Sequence, residues 1–145
     1  MCKAINVAEY IINTISVDNL KLQKLLFYSQ AVHLVLNKTP LFNDRIEAWM
    51  YGPVVPSVYK KYKKFGYEIL QPNKTQKATL SDSEIESIDM VLDYYGNMNG
   101  VQLITKTHQE SPWKDVYVAN KNILITNESI YNYFVNQFEF DETEV

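Results

Sequence analysis

The chain has a single cysteine, Cys2, in 145 residues, so an internal disulfide and a cysteine-built metal site are both excluded. That frugality suits a reducing compartment, and a cytoplasmic protein is the expectation. Histidine is nearly as scarce, with only His33 and His108, far apart in the chain. No His-rich or acidic motif supplies the further ligands that a metal centre needs, so no metal is expected. Four scattered glycines match neither the phosphate-cradling nor the dinucleotide fingerprint, and no cofactor is expected either. The N-terminus lacks the apolar run of a signal peptide. The most apolar stretch, Leu25–Leu36, is too short to span a bilayer and contains Gln30 and His33, so no membrane association is expected. The formal net charge of −3 argues against a dedicated nucleic-acid binder, which carries a basic excess.

What is plentiful is tyrosine, 11 of them beside 6 phenylalanines and 2 tryptophans. Each tyrosine brings apolar area with a hydroxyl that needs water or a partner, which predicts a core with a wet margin. Chain length fits one domain, expected over residues 1–138, with an acidic, frayed tail at 139–145.

The glycines punctuate the chain. Ala4, Ala8, Ile11 and Ile15 fall on one face at helical spacing, with Ile5 and Ile12 beside them, so residues 4–15 read as a first helix. Asp18 is placed to cap a second helix reaching about residue 37. Its middle is apolar nearly all round, which predicts a central helix surrounded by the other elements. Arg45–Tyr51 alternates in character and reads as a short strand that Gly52 and Pro53 end. Pro56 suits the first turn of a helix placing Val58, Tyr59, Tyr62 and Phe65 inward and stopping at Gly66. Tyr67–Leu70 reads as a brief strand and 71–77 as a polar loop.

Ser81 with Glu84 forms a capping box before the stripe Ile85, Ile88, Leu92 and Tyr95. Short helices follow around Val101–His108 and from Ser111-Pro112 through Tyr117. After the apolar run at 123–125, Thr126 or Asn127 caps a last helix with Ile130, Tyr133, Phe134 and Phe138 on its face. The fold class is therefore mainly α, a helical bundle around a buried helix at about 18–37, with a minor short-strand component.

Catalysis needs a convergent nucleophile, base and stabilising donors, and the pattern offers no such set. His33 reads as a core-margin histidine with one hydrogen bond, and His108 as a group capping a carbonyl at a helix end. Cys2 has no base nearby in sequence. His108 with Glu110 at a pocket mouth is the one enzymatic arrangement to check. Lys60, Lys61, Lys63 and Lys64 interleave with Tyr59, Tyr62 and Phe65, which at helical spacing gives a solvated basic face opposite an apolar one. Stacking on nucleic acid is the functional alternative for that run. Glu47–Pro56 stands apart: a tryptophan, a tyrosine, a glycine and two prolines in ten residues make a stiff turn carrying large apolar side chains. Such a segment serves either as a core-forming turn or as a preformed protein-binding surface.

Three blocks then resemble a known family: Lys21–Ala31, Pro40-Leu-Phe with Ile46–Tyr59, and Leu103–Lys114 with its Thr-His-Gln-Glu-Ser-Pro-Trp run. Together they resemble the Panacea domain, the family of SocA-like antitoxins and phage-associated proteins, over residues of about 8–118. The resemblance implies a mainly helical fold and no catalytic activity. It implies a protein toxin as partner, encoded nearby, neutralised by direct contact or, in at least one type, delivered to a protease complex. Some relatives carry an added N-terminal domain, which is not expected here. The candidate partner surface is Trp49, Tyr51, Pro53, Val54, Pro56 and Tyr59, with His108 and Trp113 adjoining. The alternative function is a phage-encoded nucleic-acid-binding accessory protein working through the lysine cluster.

Overall fold

A computed structural model describes residues 1–73 and 79–138. The acidic tail at 139–145, and residues 74–77 of the expected polar loop, lie outside them. The chain runs α1 (Ala4–Thr14), α2 (Asn19–Asn37), β1 (Ile46–Trp49), β2 (Gly52–Val54) and α3 (Pro56–Tyr62). It continues as α4 (Asp82–Tyr95), α5 (Gly100–His108), α6 (Ser111–Lys114), β3 (Ile123–Ile125) and α7 (Asn127–Phe134). Mainly helical with a small sheet, it has the fold class that the periodicity predicts.

Helix α2 is the axis. Residues 22–35 of it are all buried, and α1, α3, α4, α5 and α7 pack around it. Asp18 caps it by accepting from the Lys21 N–H at 2.8 Å, and Lys38 closes it in the left-handed conformation. The Ser81–Glu84 capping box forms as the sequence implies, and Thr126, rather than Asn127, caps α7. Aliphatic side chains of α1, α2 and α4 fill the centre, where Phe27 meets Phe134 edge to face and Tyr28 stacks on Tyr95.

The small sheet has the order β2-β1-β3, antiparallel throughout. Gly52 and Pro53 do not end a strand as expected. They begin β2, because Met50 and Tyr51 reverse the chain in two residues and Trp49 pairs with Gly52. Pro53 costs nothing there, since β2 is an edge strand with no further neighbour needing its missing N–H. Two other expectations fail. Tyr67–Leu70 forms no strand; it is anchored at Leu70, whose N–H donates to the Val17 carbonyl at 2.8 Å and whose side chain is buried in the core. Phe65 does not turn inward, because the chain tightens into a 3-10 turn at Lys63–Phe65 and leaves its ring exposed. No helix among the described residues is long and apolar enough to cross a membrane.

Candidate functional site

The three motif blocks meet at one place, the β1–β2 hairpin. Polar side chains of the buried helix α2 clamp its backbone. Lys24 is fully buried, and its Nζ donates to the Pro53 carbonyl at 2.9 Å. Gln23 Oε1 accepts from the Val55 N–H at 2.9 Å, while its amide donates to Asn19 Oδ1. Further along, Gln30 accepts from the Leu41 and Phe42 N–H groups and donates to the Phe42 carbonyl. Each buried polar group thereby meets a backbone group that would otherwise be orphaned.

Gly52 sits where this clamp is tightest. Its φ is +111°, and a Cβ there would lie 2.8 Å from Thr107 Oγ1 and 2.9 Å from Lys24 Cε. Only glycine fits both the conformation and the space. Burial pushes the Lys24 ammonium down to about 7, since desolvation disfavours the charged form.

From the other side, Trp113 Nε1 donates to the Trp49 carbonyl at 2.7 Å. The Trp113 ring stacks on His108 at 3.8 Å between centroids and on Tyr117 at 4.6 Å. His108 stacks on that ring instead of capping its own helix end, and its Nε2 is buried with no hydrogen-bond partner among the described residues. Burial and the nearby Lys24 charge lower its pKa, against the pull of the Met50 backbone. His33 bonds through Nδ1 to Ser87 Oγ at 2.8 Å and lies at 3.1 Å from the Asn37 amide, close to its expected role.

The candidate partner residues divide by exposure. Tyr51 is 57% exposed at the hairpin tip, beside Met50 at 62%, a residue the motif reading overlooked. Trp49 and Tyr59 are half-buried, edge to face at 4.9 Å, and Trp49 Nε1 donates to Glu47. Pro53 and Val54 are buried and Pro56 is half-buried, so these three shape the hairpin from within. Trp49, Tyr51, Val54 and Tyr59 share a groove of about 330 Å³, joined by Lys24, Lys63 and the exposed Tyr67. His108 and Trp113 do not line that groove; they reach the hairpin through its backbone. Nor does His108 join Glu110, which lines a different cavity with Tyr95 and Tyr133. Lys60, Lys61, Lys63 and Lys64 are all exposed, with Lys61 Nζ at 3.8 Å from Glu9.

Comparison with known proteins gives this arrangement a family. The family model described as antitoxin SocA-like, Panacea domain, matches residues 22–114. The chain belongs to that family. The matched span contains the helix, the hairpin and the Trp113 block whose contacts are described above. A similar curated protein is Antitoxin SocA of Caulobacter vibrioides (strain NA1000 / CB15N), 35% identical over 111 residues. That alignment covers 68% of this chain and 59% of the relative, so this chain spans under two thirds of that protein's length. No solved structure matches. Much of the Panacea motif is thus engaged in building and holding the hairpin. The large apolar side chains it leaves exposed are Met50 and Tyr51 at the tip.

Proposed function

We propose that this chain is an antitoxin that neutralises a protein toxin by direct contact, in a bacterial, phage or prophage toxin–antitoxin pair. The observation that carries the reading is membership of the SocA-like family, together with 35% identity to a protein named as an antitoxin. Residues 1–138 act as one Panacea domain; a hydrophobic cluster running from Ala4 to Phe134 supports that extent. Neutralisation by contact requires no catalytic step and no cofactor. The lone cysteine suits the reducing cytoplasm, where a newly made toxin would be met.

The contact surface we favour is the hairpin tip and its groove. Met50 and Tyr51 project from backbone that Lys24, Gln23 and Trp113 hold, so little ordering cost is left to binding. Large side chains on rigid backbone are the usual anchors of protein interfaces. Tyr51→Ala should weaken toxin binding by about 2 kcal/mol, roughly thirtyfold in Kd, in a variant with an unchanged urea midpoint. Equal affinity would move the interface elsewhere.

The test of the function itself is co-expression with the product of the adjacent reading frame. Growth arrest by the neighbour alone, relieved by this chain, is expected. Toxin half-life separates the two modes of neutralisation: contact alone leaves it unchanged, and delivery to a protease shortens it.

A further inference from the structure

A second cavity lies away from the hairpin, between α4, α5 and α7, with a volume of about 810 Å³. Pockets of roughly 300–1,000 Å³ are the size that holds small ligands or an inserted side chain. Its chemistry is lopsided. Tyr94, Tyr95, Tyr133 and Phe134 supply the walls, and Glu110 brings a carboxylate that is only 6% exposed.

That carboxylate is underused. Glu110 Oε1 accepts from the Tyr28 hydroxyl at 2.7 Å, the one hydrogen bond to it among the described residues. An ionised carboxylate offers roughly four acceptor sites, so most of its capacity is unspent. Tyr95 stacks on Tyr28 at 4.0 Å and fixes that donor. The other charged groups of the lining are Asp93 and Lys106, and Lys106 forms no ion pair with Glu110 among the described residues. Burial pushes the Glu110 carboxyl up to about 7, against the Tyr28 hydrogen bond and the Lys106 charge, which pull it down.

We propose that this cavity is a binding site for an organic cation, an alkylguanidinium or alkylammonium group held between the Glu110 carboxylate and the tyrosine walls. A cation there gains a charge-assisted hydrogen bond from a desolvated carboxylate. Its flat faces meet electron-rich rings, which attract cations most strongly where water is excluded. An anion meets repulsion from the carboxylate, and a neutral donor brings hydrogen bonds without the opposite charge that strengthens them. The cation comes either from a free amine or from an arginine or lysine side chain of a protein partner.

The two sources are separable by calorimetric titration of the whole chain in dilute salt. The probes are n-butylguanidinium, the peptide acetyl-Gly-Arg-Gly-amide and, as a neutral control, n-butylurea. At least one cationic probe should bind where the urea does not. Binding of the small cation with the peptide excluded assigns the site to a free amine, and binding of the peptide, alone or as tightly as the small cation, assigns it to a partner side chain. Affinity should tighten about tenfold from pH 6 to pH 8, as the ionised fraction of Glu110 rises from about one tenth to about nine tenths.

Glu110→Gln, which keeps an acceptor for Tyr28, should weaken binding at least tenfold at pH 8 and abolish the pH dependence. The groups facing Glu110 are Tyr28, Tyr95, Tyr133, Asp93 and Lys106, and all of them remain in that variant. Tyr94→Ala removes a side chain that is 66% exposed and should weaken binding several-fold without unfolding the chain. No binding of either cation at millimolar concentration, equal binding of the urea, or affinity unaffected by both variants would overturn the proposal.

Discussion

Replacing Gly52 with alanine tests the geometry that holds the hairpin. Two costs add. At φ +111° an L side chain is strained, a penalty of about 1–3 kcal/mol. The new Cβ would also sit 2.8 Å from Thr107 Oγ1 and 2.9 Å from Lys24 Cε, closer than real contacts allow. Overpacking of that kind costs about 1–3 kcal/mol, because Lys24 is fully buried and its ammonium is tied to the Pro53 carbonyl. The sum is about 4 kcal/mol, a large share of the 5–15 kcal/mol that stabilises a typical domain. Equilibrium urea unfolding followed by tryptophan fluorescence reads it as a midpoint lowered by about 2 M, for a slope of about 2 kcal/mol per M. Gly66→Ala is the control. It also has a positive φ, +56°, but nothing lies within 4 Å of its Cβ position, so it should lose the backbone strain alone, about 1–3 kcal/mol. If the two variants lost the same amount, the close approach of Lys24 and Thr107 would not be what fixes glycine at position 52.

Trp113→Phe keeps an aromatic ring to stack but removes the donor to the Trp49 carbonyl, and should cost about 1 kcal/mol by the same unfolding measurement. Lys24→Met isolates a pH effect. The folded pKa of Lys24 is depressed to about 7 by burial, so its contribution is greatest above the unfolded value of about 10.4 and is lost as pH falls through 7. Between pH 7 and 8.5 the wild type should therefore gain stability relative to Lys24→Met, by up to about 1.4 kcal/mol per pH unit; a difference independent of pH contradicts it. Cys2 carries a thiol that burial, with Glu84 nearby, pushes up to about 12, and its Sγ donates to the Leu41 carbonyl at 3.3 Å. Ellman's reagent at pH 8 should label it much more slowly in the native protein than in urea, and equal rates would refute that burial.

Local pattern carried the helices well. Residues 22–35 are apolar enough to announce a surrounded helix, and Asp18, Ser81 and Thr126 stand where the caps form. What stayed hidden is long-range. Gln23, Lys24 and Gln30 look like interruptions of an apolar face, yet they are buried, because their partners are backbone groups of residues 41, 42, 53 and 55. No local window shows that spacing. Gly52-Pro53 reads as a stop, since the positive φ that lets the chain re-enter the sheet is invisible until β1 is placed beside it. His108 reads as a cap because its stacking partner, Trp113, belongs to the next helix. The Glu47–Pro56 segment was legible as a rigid turn. Which of its residues face outward was not: burial takes Pro53 and Val54 into the scaffold and leaves Met50 and Tyr51 at the surface.

The most direct measurement is growth of cells that express the adjacent reading frame together with either the wild-type chain or a Met50→Ala/Tyr51→Ala variant. Both chains should show the same urea midpoint, since both side chains are exposed. Arrest by the neighbour alone, rescue by the wild type and failure of rescue by the tip variant are expected. A neighbour that is harmless alone, or full rescue by the folded tip variant, would contradict that expectation.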